Sequence, residues 1–144
     1  MDIEIHNRQK DLRLSKLRTK RLVQSVLSFL GTPANQVALY FVTEKKICQL
    51  HQQFFNDPSP TDCISCPLDA EHLGEVFICP SIAIQYAKKR HLDPYAETEL
   101  YIVHGLLHLL GFDDLEEKER RTMRKKEKSC MRHLRLHKLS ICPK

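Results

Sequence analysis

At 144 residues, with 42% hydrophobic residues and a formal net charge of +5, the chain has the size of one ordinary domain and can bury a core without disulfide or metal staples. No stretch comes near the roughly 20 apolar residues of a membrane span, and the first residues contain no apolar run of signal-peptide length, so one cytoplasmic domain over residues 1–144 is expected. Six cysteines (Cys48, Cys63, Cys66, Cys79, Cys130, Cys142) in such a protein are expected as reduced thiols and not as a disulfide framework.

The first residues alternate, and Asp2 to Asn7 predicts a short strand with Ile3 and Ile5 on its buried face. From Leu12 to Leu30 the apolar residues Leu12, Leu17, Leu22, Val23, Val26, Leu27 and Leu30 approximate helical spacing, closed by Gly31, Thr32 and Pro33. Lys16, Arg18, Lys20 and Arg21 make the first half of this helix basic. Gln36 to Val42 is rich in β-formers and predicts a strand. Thr43 caps a helix running through Ile47, Leu50 and Phe54.

Asn56 to Asp62 is dense in turn formers and predicts a loop. It leads into Asp62 to Cys66, short and β-like, then a loop with Pro67 and Asp69. Gly74 to Cys79 is a clearer strand. Pro80 and Ser81 open a helix that ends at Lys88, Lys89 and Arg90, and His91 to Pro94 form a linking turn. A helix starting near Asp93 or Tyr95 is apolar nearly all round between Leu100 and Leu110, which predicts burial. The last helix, from about Leu115 to about Leu136, is highly charged. Residues 1–117 carry 12 Lys/Arg against 16 Asp/Glu, whereas residues 118–144 carry 11 against 2, so the basic character is local to the end of the chain. A block of that kind suits a phosphate-bearing partner. Short strands and helices without regular βαβ alternation predict the α+β class: a small mixed sheet of about four strands packed with about five helices, one a zincin-like metal helix.

The chemistry concentrates in Tyr101 to Leu115. His104 and His108 lie four residues apart, so on a helix both imidazoles leave the same face one turn apart. Gly111 follows where a helix commonly ends in a left-handed residue, and the chain can then fold back to present Asp114. The pattern H-x-x-x-H-x-x-G-x-x-D has the spacing of the metzincin zinc sites. His104, His108 and Asp114 are therefore the candidate metal ligands, with Asp113 the rival for the third place. Three protein ligands leave a coordination position for water, the arrangement of a catalytic zinc, and a carboxylate donor also admits other divalent ions. The peptidases of this pattern carry a Glu after the first His as general base. Here that position is Gly105, which argues against a peptidase.

Other signals are weaker. Cys63 and Cys66 form a single C-x-x-C in a β-like run that points the thiols to opposite faces, so they are expected as small apolar residues and not as a zinc or redox site. His133 and His137 stand four apart on the basic helix with no turn-placed third ligand, and surface positions are expected.

The stretch HGLLHLLGFDD resembles the signature of the YbeY family, bacterial metal-dependent endoribonucleases of ribosomal RNA maturation. His104, Gly105, His108, Gly111, Phe112 and Asp113 match, and Asp114 stands where the family has a third His. Pro60, Thr61, Asp62 and Ser65 resemble the family's Thr-Asp-Val-Leu-Ser-Phe segment, and Gly74 to Ile78 its Gly-Asp/Glu-Ile strand. The family usually has an Arg facing the substrate cleft six residues before that Thr; here Phe55 occupies the position. The resemblance implies zinc-dependent cleavage of single-stranded RNA, with ribosomal RNA and the small ribosomal subunit as partners and no DNA or membrane. A zinc ion would polarise a phosphate oxygen and lower the pKa of its water toward about 7. Asp62, Ser65 and Glu75 are candidates to orient water or substrate. A non-catalytic RNA-binding assembly factor with a structural metal is the alternative, and a zinc peptidase the less favoured one.

Overall fold

The computed structural model describes residues 2–32, 36–68 and 72–144; Pro33 and Asp69, expected in a helix end and a loop, lie outside them. Among the described residues the elements run β1 (Asp2–Asn7), α1 (Lys16–Phe29), β2 (Gln36–Phe41), α2 (Glu44–Phe55), β3 (Cys63–Pro67), β4 (His72–Ile78), α3 (Pro80–Arg90), α4 (Pro94–Leu109) and α5 (Glu117–Leu136). Five helices and one four-stranded mixed sheet make the α+β class predicted from the sequence.

The sheet order is β1-β2-β4-β3. β1, β2 and β4 are parallel neighbours, and β3 runs antiparallel to β4 at the edge. Parallel pairing requires crossover connections, which α1 supplies between β1 and β2, and α2 with β3 between β2 and β4. These crossovers were not apparent from the chain's irregular alternation.

Local chemistry sets the helix ends. Ser15 caps α1, its side chain accepting from the Arg18 backbone N–H at 3.1 Å. The apolar pattern therefore started this helix four residues too early. Leu12 is buried, but Gln9 brackets it in a turn, donating to its carbonyl at 2.8 Å and accepting from its N–H at 2.9 Å. Leu17, counted on the apolar face, is exposed. Asp93 caps α4 by accepting from the Tyr95 N–H, with Pro94 in the first turn, where its missing N–H costs nothing. A reciprocal capping box between Glu116 and Glu119 starts α5, two residues later than expected.

The two faces of the sheet are covered unequally. On one face α1, α4 and α5 enclose a large core with Leu22, Val26, Leu39, Val76, Leu106 and Met123, and Ile3 and Ile5 both belong to it, as the strand alternation predicted. On the other face α2 covers a small cluster of Val42, Ile47, Leu50, Ile64 and Cys79. Cys63 packs against the first cluster and Cys66 against the second, opposite faces as expected, and no cysteine among the described residues is in a disulfide. No helix among the described residues is long and apolar enough to cross a membrane.

Candidate metal centre

α4 is buried around most of its circumference, packing on β3, β4, α3 and α5. Its tightest approach to the sheet is at Gly105. A Cβ there would stand 2.5 Å from Val76 Cγ1 on β4 and 3.3 Å from Ser65 Oγ on β3. Ser65 reinforces the contact by donating its hydroxyl to the Gly105 carbonyl at 2.9 Å. The position that holds a carboxylate in the peptidases thus faces the sheet here, with no room for a side chain.

With Gly105 against the sheet, His104 and His108 project from the open side of the helix end, 24% and 27% of their side chains exposed, enough for a small ligand to reach both rings. The helix then stops in a Schellman arrangement. The Phe112 N–H donates to the Leu107 carbonyl and the Gly111 N–H to the His108 carbonyl, both at 3.0 Å, with Gly111 at φ 97°. This turn swings the chain back over the histidines. Asp113 Oδ1 accepts from the Asp114 N–H at 2.7 Å, which tightens the turn, and Asp114 Oδ2 comes to 3.6 Å from His104 Nε2 and 3.7 Å from His108 Nε2. Asp114, and not Asp113, completes the group.

The donor set suits a divalent cation. The two Nε2 atoms face each other at 3.0 Å, and all three donor atoms lie within 4.8 Å of one another. Facing ring nitrogens can share only one proton between them, whereas a cation satisfies both lone pairs and the carboxylate together. Two imidazole nitrogens and one carboxylate oxygen are ligand types that zinc accepts, and other divalent ions share them.

α5 contributes a residue that motif reading missed. Glu127 Oε2 hydrogen-bonds His104 Nδ1, fixing the tautomer that leaves Nε2 free toward His108 and Asp114. That hydrogen bond, opposed by burial, holds the His104 pKa above the usual imidazole value. The available signal was weak: Glu127 is one of only two acidic residues in the basic segment 118–144.

Two cavities meet at His104. One, of about 370 Å³, is lined by His104, His108, Asp114, Ser65, Cys63 and Phe55. Burial, then Asp62 and Asp114, push the Cys63 thiol well up, and Cys63 is not part of the group of converging donor atoms. Phe55, at the end of α2, is exposed and bounds this cavity where the resembling family would place a cation. The other cavity, of about 620 Å³, holds Asp62, Tyr86, Glu97, Arg124 and Glu127 on the far side of His104.

The remaining candidates divide. Ser65 lies in the first cavity, with its proton committed to the Gly105 carbonyl. Asp62 lines the second, its Oδ1 accepting from the Cys63 N–H at 2.7 Å. Glu75 is not brought to the site: it alternates with Val76, which faces α4, and so lies on the opposite face, where it hydrogen-bonds Tyr40. Of the two histidines expected at the surface, His137 is exposed and His133 only in part. His133 is half-buried between α5 and α1, bonded to Ser25 Oγ at 2.7 Å and stacked on Phe29, and burial holds its pKa below the usual value.

Fold and site together define an α+β protein whose central helix and following turn assemble a His/His/Asp group able to hold a metal ion. The endoribonuclease YbeY family model matches residues 4–135. The endoribonuclease YbeY of Protochlamydia amoebophila is 45% identical, over 96% of this chain and 97% of the relative. That of Chlamydia felis is 40% identical, over 91% and 89%. The solution structure of TM1509 from Thermotoga maritima is similar at a TM-score of 0.67 and 25% identity, over 92% of this chain and 88% of that one. The chain belongs to the endoribonuclease YbeY family.

Proposed function

We propose that this protein is a metal-dependent endoribonuclease that cleaves single-stranded RNA, acting as one domain over residues 1–144 in ribosomal RNA processing and small-subunit maturation in the cytoplasm. The observation that carries the reading is the convergence of His104, His108 and Asp114 in the lining of one cavity, with His104 also lining a second, in a chain of this family. These three residues hold the ion, zinc being the best match to their donors. When bound, the ion supplies a Lewis acid for a phosphate oxygen and lowers the pKa of a water toward about 7.

The chain's own residues supply the rest. Glu127 orients His104, Ser65 ties α4 to β3 so that the histidine pair keeps its place over the sheet, and the Gly111 turn sets the reach of Asp114. His108→Ala removes a ligand without touching the core, and it is expected to abolish both metal retention and cleavage of a ribosomal RNA precursor. Full cleavage by a metal-free variant refutes the proposal. Phe55 favours one second reading, a non-catalytic RNA-binding assembly factor, because the cavity wall lacks the cation that would steady a phosphoryl transition state. That reading expects salt-sensitive RNA binding and no cleavage at any added metal. The closed space at Gly105 weighs against a peptidase.

A further inference from the structure

Beyond the metal group, α5 turns a row of cations toward one channel. Arg124, Lys128, Arg132 and Arg135 are spaced four, four and three residues apart, so they share one face of the helix. All four line a groove of about 480 Å³ whose apolar floor is Leu100 of α4 and Met131 of α5. The groove shares Leu100, Arg124 and Glu127 with the cavity of about 620 Å³ that His104 lines, so the two adjoin and lead from His104 along the helix. From Arg124 to Arg135 it runs about 16 Å at the rise of an α-helix. None of the four cations has an ion-pair partner among the described residues, and all are exposed.

We propose that this groove is the track for the RNA backbone: a single strand lies along α5 with successive phosphates on Arg124, Lys128, Arg132 and Arg135, and its reacting phosphate falls at His104 and His108. Only the placement of the reacting phosphate rests on the ribonuclease reading; the track stands on the charge and shape of the groove. Unpaired cations over an apolar floor fit a chain that presents anions on one edge and flat aromatic faces on the other, which is the chemistry of an unpaired nucleic acid strand. The inner end of the channel gives the strand an orientation. Asp62 and Glu97 lie in the cavity with Arg124, and carboxylates repel phosphate, so the backbone follows α5 while ribose hydroxyls meet the acidic residues. Tyr86 in the same cavity, with the Arg90 guanidinium 3.8 Å from its ring centre, offers a surface for a base to stack. Arg124 also stands as the cation nearest the histidine pair within the channel, a substitute for the one that Phe55 leaves out.

The test measures binding of a short fluorescent oligouridylate to the full-length protein by anisotropy between about 50 and 200 mM salt. Lys128→Ala/Arg132→Ala is expected to weaken binding about 25-fold at about 0.1 M salt, about fivefold per lost contact, and to flatten the salt slope by about 0.7 per cation, as loss of single-strand phosphate contacts requires. Lys45→Ala/Lys46→Ala, which removes the same charge from exposed positions on α2, is expected to bind like wild type. Equal losses in the two double variants overturn the track, since net charge alone would then explain binding. An oligoglutamate of matching charge that competes as well as the RNA overturns it in favour of an acidic protein partner. His108→Ala separates the two proposals: normal binding without cleavage leaves both standing. A wild type that binds through the groove but never cleaves sinks only the ribonuclease reading, and cleavage with an unchanged salt slope in Lys128→Ala/Arg132→Ala sinks only the track.

Discussion

Gly105→Ala adds one methyl group at the tightest contact between the metal helix and the sheet. The new carbon would lie 2.5 Å from Val76 Cγ1, against a favourable carbon–carbon separation of about 3.5–4.0 Å, so helix and strand must part by roughly 1 Å. Val76 is fully buried and both partners sit in regular elements, which leaves little to yield. Overpacking of this kind costs about 1–3 kcal/mol, and the absence of a free direction places the cost in the upper half of that range. Alanine gains about 0.5–1 kcal/mol over glycine from helix propensity. The net expectation is a loss of about 1–2 kcal/mol, read as a lower urea midpoint at unchanged slope. Val76→Ala supplies the cross-check: in that background the 2.5 Å contact is gone and only Ser65 Oγ at 3.3 Å remains close, so Gly105→Ala should cost much less than in wild type, a coupling that a double-mutant cycle measures. A Gly105→Ala protein as stable as wild type, or an effect identical in both backgrounds, refutes the close packing on which the site's placement depends.

Glu127→Gln keeps an acceptor for His104 Nδ1 and removes the charge. Loss of such an outer partner typically costs about 10–100-fold in metal affinity, and this conservative change is expected near about tenfold in a chelator competition. Wild-type affinity would show that Glu127 does not act on the centre. Glu99→Gln concerns stability. Burial holds the Glu99 carboxyl above the usual glutamate value, although it accepts from Ser140 Oγ and the Ile141 N–H. A raised folded-state pKa favours the protonated form, so its contribution is full at acid pH and is lost as pH rises through the raised value. The variant, which cannot ionise, should therefore match wild type in acid and melt higher at neutral pH; a gap that does not widen with pH contradicts this.

The legible and illegible parts of the molecule differ in how far apart their partners lie along the chain. His104, His108, Gly111 and Asp114 obey local rules, since helical period and the left-handed turn fix their relative positions within eleven residues. The end of α3 and the body of α4 were readable for the same reason. Glu127 is 23 residues from its partner His104, and no local period relates them; only the packing of α5 on α4 does. Glu75 was misplaced because alternation tells which residues share a face but not which face meets the helix. Leu12 imitated a helical position because a side chain in a turn can be buried as well as one on a helix. His133 was read from the charge around it, and the stacking on Phe29 that defines it comes from a distant helix.

The unequal covering of the sheet has a consequence for motion. α2 buries Ile47 and Leu50 against its side, and two such side chains hold it with about 3–6 kcal/mol of apolar burial. The large core on the other face buries many more such side chains, so α2 rests on the smaller share of the apolar burial. α2 is therefore the element placed to detach in partial opening while the large core, and the histidine helix embedded in it, stay intact. Because Phe55 is its last residue, each such excursion lifts one wall of the cavity without disturbing the ligands opposite, so the width of the entrance is set by the least anchored helix and the geometry of the centre by the most anchored one.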